Sequence, residues 1–84
     1  MGELSKLQNI GSVVEKQLNE AGINTYDDLK KLGSKKAWLK IKANDPSACI
    51  HRLYALEGAI ENIKKTQLSD EVKEDLKKFY NSQK

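Results

Sequence analysis

Apolar residues fall in short stretches at helical intervals along this chain, and each stretch ends at a glycine or at a residue suited to capping a helix. Leu4 and Leu7 start a short N-terminal helix that stops before Asn9-Ile10-Gly11. Ser12, three residues ahead of Glu15, predicts a Ser-x-x-Glu capping box, in which two otherwise unpaired amides are satisfied reciprocally. Val14 and Leu18 form the stripe of the helix that runs on to Ala21. Gly22 follows that helix, at the position where a left-handed backbone strains glycine least. Thr25 opens a short helix carrying Tyr26, Leu29 and Leu32, with Asp27 and Asp28 at the positive end of its dipole. Gly33 ends it. Ser34 is the expected cap of a fourth helix, through Ala37, Trp38, Leu39 and Ile41 to about Asn44.

Asp45-Pro46 pairs an N-cap residue with a proline at the first helical position, which predicts the longest helix, about Pro46 to Lys65. Its inward stripe is Cys49, Leu53, Leu56, Ile60 and Ile63, widened by Ile50 and Tyr54. Gly58 costs such a helix about 1 kcal/mol relative to alanine. With Ala55 and Ala59 nearby, it marks a flat surface where another helix crosses closely. Ser69 caps the last helix, whose apolar face is Val72, Leu76, Phe79 and Tyr80, and the tail Asn81-Ser82-Gln83-Lys84 is expected to fray. Nothing reads as a strand, and no linker or low-complexity tract divides the chain. The expected fold is all-α: five to six short helices in one helix-hairpin-helix (SAM-like) domain over residues 1–84.

Composition sharpens this picture in two ways. An apolar share of 38% against a charged share of 32% describes a thin core under a heavily solvated exterior. The net charge of +3 permits a nucleic-acid partner without requiring one. No N-terminal apolar run resembles a signal peptide, and no stretch approaches the roughly 20 apolar residues that cross a bilayer. A cytoplasmic location without membrane contact is therefore expected. The single cysteine, Cys49, can form no intramolecular disulfide.

Catalytic chemistry lacks its parts. Cys49 and His51 are two apart on a helix and so point about 200° away from each other. The stripe places Cys49 inward as a buried structural thiol and His51 outward beside Arg52. The spaced ligands of a zinc site and the glycine-rich loop of a nucleotide site are both absent. The sequence thus points to a non-enzymatic protein with no metal, no cofactor and no small-molecule substrate.

Two features suggest binding. Leu7 to Val14 reads as a tight turn between helices with Ile10 as an apolar plug, the pattern of a helix-hairpin-helix element. Such a turn exposes backbone amides beside a helix N-terminus, which can hold a phosphate without a charged side chain. Asn9, Ile10, Gly11 and Ser12 are the candidate residues, and Lys16, one turn onward, adds a phosphate contact. The usual hairpin is Gly-x-Gly. Asn9 stands in for the first glycine and tolerates left-handed geometry better than most residues. The competing reading is a hairpin that only joins two packed helices.

The second feature is a run of six lysines without an acid: Lys30, Lys31, Lys35, Lys36, Lys40 and Lys42. A basic cluster of this kind is the footprint of a nucleic-acid surface. Six phosphate contacts would give log K against log salt a slope of about −5. The bland alternative is a solvated face on which Lys30 and Lys31 complement the negative end of a helix. That does not account for Lys35 and Lys36, in a first turn where the dipole disfavours cations. Trp38 has no companion aromatics in the sequence around it and reads as core rather than as a stacking platform. Should the partner be a protein instead (a polymerase subunit, a transcription factor or a second copy), Tyr26, Trp38, Phe79 and Tyr80 are the anchors.

The segments Leu7-Gln8-Asn9-Ile10-Gly11, Gly22-Ile23-Asn24-Thr25, Asp28-Leu29 and Leu32-Gly33-Ser34, together with Leu18, resemble the C-terminal domain of TfoX (Sxy) competence regulators. The similarity continues through Leu53-Tyr54-Ala55-Leu56-Glu57-Gly58-Ala59-Ile60, its most specific block, and covers nearly the whole chain. The resemblance implies a helix-hairpin-helix-like fold and a DNA-associated role in bacterial transcription regulation. It brings no catalytic residues. Full-length regulators of this kind carry an additional N-terminal α/β domain that this sequence lacks, so a stand-alone version is expected.

Overall fold

The computed structural model describes residues 3–83, apart from the side chains of Glu3 and Ser5. The order is a 3₁₀ turn at Glu3–Lys6, α1 at Ser12–Glu20, α2 at Tyr26–Leu32, α3 at Ser34–Asn44, α4 at Ile50–Glu61, a second 3₁₀ turn at Lys65–Gln67 and α5 at Asp70–Ser82. The fold is all-helical, with no strand among the described residues. Among the described residues no helix is long and apolar enough to cross a membrane.

α4 is the central element, packed against α3, α5 and the second 3₁₀ turn. Its Leu53, Leu56 and Ala59 are fully buried with Trp38 and Ala37 of α3, Leu29 of α2 and Leu18 of α1. The Trp38 indole N–H donates to the Cys49 carbonyl at 3.2 Å. Phe79 and Tyr80 meet the indole edge-on, with ring centroids 6.0 and 5.5 Å away, a geometry that aromatic quadrupoles favour.

Local chemistry sets most of the boundaries. Thr25 and Ser69 accept from the amides of Asp28 and Val72, as N-caps do. α1 ends in a Schellman turn, with Ile23 N–H donating to Leu18 O at 2.8 Å and Gly22 N–H donating to Asn19 O at 3.0 Å. Gly22 has φ +87° there.

Several sequence expectations are corrected. The N-cap of α1 is Gly11 rather than Ser12, so the Ser12–Glu15 capping box does not form. Gly33, with φ +89°, likewise takes the N-cap position expected of Ser34; the Ser34 hydroxyl donates to Glu57 Oε1 at 2.6 Å instead. α4 begins at Ile50, not Pro46. The Asp45 carboxylate accepts both the backbone and the hydroxyl of Ser47, and Ala48 N–H donates to Asp45 O at 3.0 Å. Together these close a single turn in place of a helix start. Cys49 is then the extended N-cap residue and is exposed, not buried on the stripe.

α4 also stops early. Asn62 enters the left-handed region at φ +59°, and Ile63 N–H returns to Gly58 O at 2.9 Å. The N-terminal segment is a 3₁₀ turn rather than an α-helix. α5 continues through Ser82, into the tail expected to fray; Lys84 lies outside the described residues.

Candidate nucleic-acid interface

The hairpin is set by its backbone first. Leu7 N–H donates to Leu4 O at 3.0 Å, Ile10 N–H donates to Leu7 O at 3.3 Å, and Asn9 reverses the chain at φ +69°. Ile10 is buried in the core cluster with Leu4. The plug thereby leaves Gly11, Ser12 and Val13 exposed at the start of α1, with Val13 at 66% the more exposed of the two large exposed hydrophobic side chains among the described residues. Gly11 has no side chain to accept from the first-turn amides. Glu15, whose amide closes the first helical bond to Gly11 O at 2.9 Å, is buried.

Asn9 does more than tolerate a left-handed backbone. Its Nδ2 donates to Ile63 O at 3.0 Å and its Oδ1 accepts from Lys65 N–H at 3.0 Å. A β-carbon on Gly58 would lie 2.5 Å from Asn9 Nδ2 and 2.9 Å from Ile63 O. Close approach at Gly58 is therefore real, but what approaches is the hairpin's own carboxamide and the chain leaving α4. The side chain of Asn9 is committed to the fold, and what this stretch leaves at the surface is Gly11, Ser12 and Val13.

The six lysines do not stay together. Lys31 and Lys40 line a shallow cleft beside Gly22 and Ile23. Lys35 and Lys36 line a groove of about 930 Å³ between the start of α3 and α5, shared with Glu57, Glu71, Glu74 and Asp75. Lys35 is paired there with Asp75 at 2.7 Å. Lys42 lies over the Trp38 ring at 5.0 Å and donates to Gln83 O at 3.3 Å. Lys30 lies over Tyr26 at 5.6 Å. Lys16 is exposed on α1.

Lys64 and Lys65, outside the residues that the sequence singles out, are exposed beside the hairpin. They were hidden at the tail of a helix expected to run through Lys65. The available signal was Asn62-Ile63, a left-handed-tolerant residue followed by an apolar one, which repeats the Gly22-Ile23 stop.

Of the four aromatic residues named as anchors for a protein partner, Trp38 is buried and Tyr26, Phe79 and Tyr80 are half-buried. Trp38 is fully buried, Phe79 and Tyr80 pack on it, and the Tyr26 hydroxyl donates to Ile60 O at 2.6 Å. Two carboxyl groups are perturbed. Asp45 is lowered to about 2, first by the Ser47 hydroxyl and amide and then by Arg52 and Gln17. Glu61 is raised to about 7, chiefly by its hydrogen bond with Glu57. Exposed His51 meets Tyr54 edge-on at 6.3 Å. Among the described residues no three His, Cys, Asp or Glu side chains gather as metal ligands.

Residues 1–80 match the model of the TfoX C-terminal domain. Two crystal structures from Listeria monocytogenes, each 49% identical, superpose with TM-scores of 0.95. One is an uncharacterized protein in a triclinic form, matched over 98% of this chain and 93% of that one. The other is a protein of unknown function in a tetragonal form, matched over 98% of this chain and 100% of that one. No curated protein matches the chain.

Proposed function

The chain belongs to the TfoX C-terminal domain family, and we propose that it is a non-enzymatic, cytoplasmic binding module that holds the backbone of duplex DNA in a regulatory role. The observation that carries this reading is the hairpin. A buried Ile10 and a left-handed Asn9 anchor it, and exposed Gly11 and Ser12 open α1 without a capping side chain. Such a helix start combines unpaired donors with partial positive charge, so it attracts phosphate at any base sequence. Lys16 follows one turn later, and Lys31 and Lys40, which share a cleft beside the end of α1, remain for phosphates farther along the duplex. Lys35 and Lys42 take no part, because each already has a partner within the fold.

The test is binding of the chain to a labelled mixed-sequence duplex between 50 and 200 mM salt. Affinity should fall steeply with salt and change little with base sequence. Undetectable binding at 50 mM contradicts the proposal.

A further inference from the structure

We infer that Lys64 and Lys65 form a second phosphate contact on the same duplex that the hairpin holds, an inference that rests on the reading above. Both side chains are exposed, and among the described residues neither forms an ion pair. Their backbone is not free to drift. Asn9 ties it to the hairpin through Ile63 O and Lys65 N–H, each at 3.0 Å, and Lys64 N–H donates to Gln67 Oε1 at 3.0 Å. The bare Cα of Gly58 makes room for that tie.

The chain length between the two contacts is short. Two residues separate Asn9 from Ser12, and the three steps between them span at most about 11 Å. The Lys65 backbone therefore stays near the opening of α1, and a lysine side chain reaches outward from there. Duplex DNA carries one charge per about 3.4 Å of axis on each strand. Phosphates adjacent to one held at the hairpin fall within that reach. Two exposed ammonium groups, without an ion pair among the described residues and carried on a backbone held there, make duplex phosphate, rather than an apolar protein face, the partner with matching charge.

The experiment compares the intact chain, the double variant Lys64→Ala/Lys65→Ala and the control Lys35→Ala on one duplex across 50 to 200 mM salt, with thermal melts of all three. The double variant should melt like the parent, bind more weakly at 50 mM and show a salt slope shallower by about 2, or about 1 per phosphate contact. The two affinities should converge as salt rises. Lys35→Ala should leave the slope within about half a unit of the parent. Asn9→Ala, with the tie cut but both lysines kept, should also weaken binding. A parent that binds while the double variant binds with the same affinity and slope overturns this inference and leaves the hairpin reading standing. A parent that does not bind overturns both.

Discussion

Gly58 and Asn9 work as one contact: the missing side chain of one makes room for the carboxamide of the other. This makes two substitutions informative. If Asn9 served only to reach φ +69°, glycine would replace it without loss. Because its side chain satisfies Lys65 N–H and Ile63 O, Asn9→Gly should instead destabilise the domain by about 1–3 kcal/mol in urea unfolding. Gly58→Ala should gain about 1 kcal/mol of helix propensity and lose more than that by collision. Its net cost of about 1–3 kcal/mol is measurable in the same way. The hairpin was legible in the sequence because its turn residues are adjacent. The tie from Asn9 to Ile63 was not, because a hydrogen bond across |i−j| = 54 leaves no local pattern. Gly58 pointed to close approach by another helix, whereas the Asn9 carboxamide and the chain leaving α4 are what approach it.

Among the helices, caps divide into those the sequence revealed and those it concealed. Thr25→Ala and Ser69→Ala should each cost about 1 kcal/mol, since both hydroxyls accept a first-turn amide. Ser12→Ala should change stability by less than about 0.5 kcal/mol, because Ser12 lies inside the helix and caps nothing. Thermal melts of the three variants check this contrast. The Ser12 and Ser34 expectations failed for one reason: a glycine immediately ahead takes the extended or left-handed cap conformation itself. The Pro46 start failed because Asp45 is drawn into a local turn with Ser47 and also accepts from Arg52 and Gln17.

Those same bonds make stability depend on pH. Asp45 is lowered from 3.8 to about 2, so its contribution is present above 3.8 and is lost as pH falls toward 2. Glu61 runs the other way. Raised from 4.5 to about 7, it binds a proton in the folded state that the unfolded chain releases, so stability declines as pH rises from 4.5 through 7. Glu61→Gln should flatten that decline in urea titrations at several pH values, while leaving the acid-side loss due to Asp45 in place.

Across the whole molecule, the charge that looked like one patch is distributed by the packing. The six-lysine run spans the turn between α2 and α3, and α3 sends Lys35 and Lys36 toward α5, Lys40 toward the end of α1 and Lys42 toward Gln83. A run in sequence is therefore a poor guide to a face when it wraps a helix. Lys64 and Lys65, far from that run, are the lysines that the fold brings to the hairpin. The family resemblance read from the Leu53–Ile60 block holds over residues 1–80.

Phosphate binding at the start of α1 is tested most directly by the duplex-DNA affinity of Gly11→Asp at 50 mM salt, set beside its melting temperature and the same two quantities for Gly11→Asn. Gly11 has φ −95° and open space where a β-carbon would stand, so either side chain fits. A carboxylate there caps α1 and favours its dipole by about 0.3–1 kcal/mol, yet occupies and repels the place of a phosphate. Gly11→Asp should melt no lower than the parent and lose at least about tenfold in affinity, about 1.4 kcal/mol, with Gly11→Asn losing less. A Gly11→Asp chain that binds the duplex as tightly as the parent would contradict phosphate binding at that helix start.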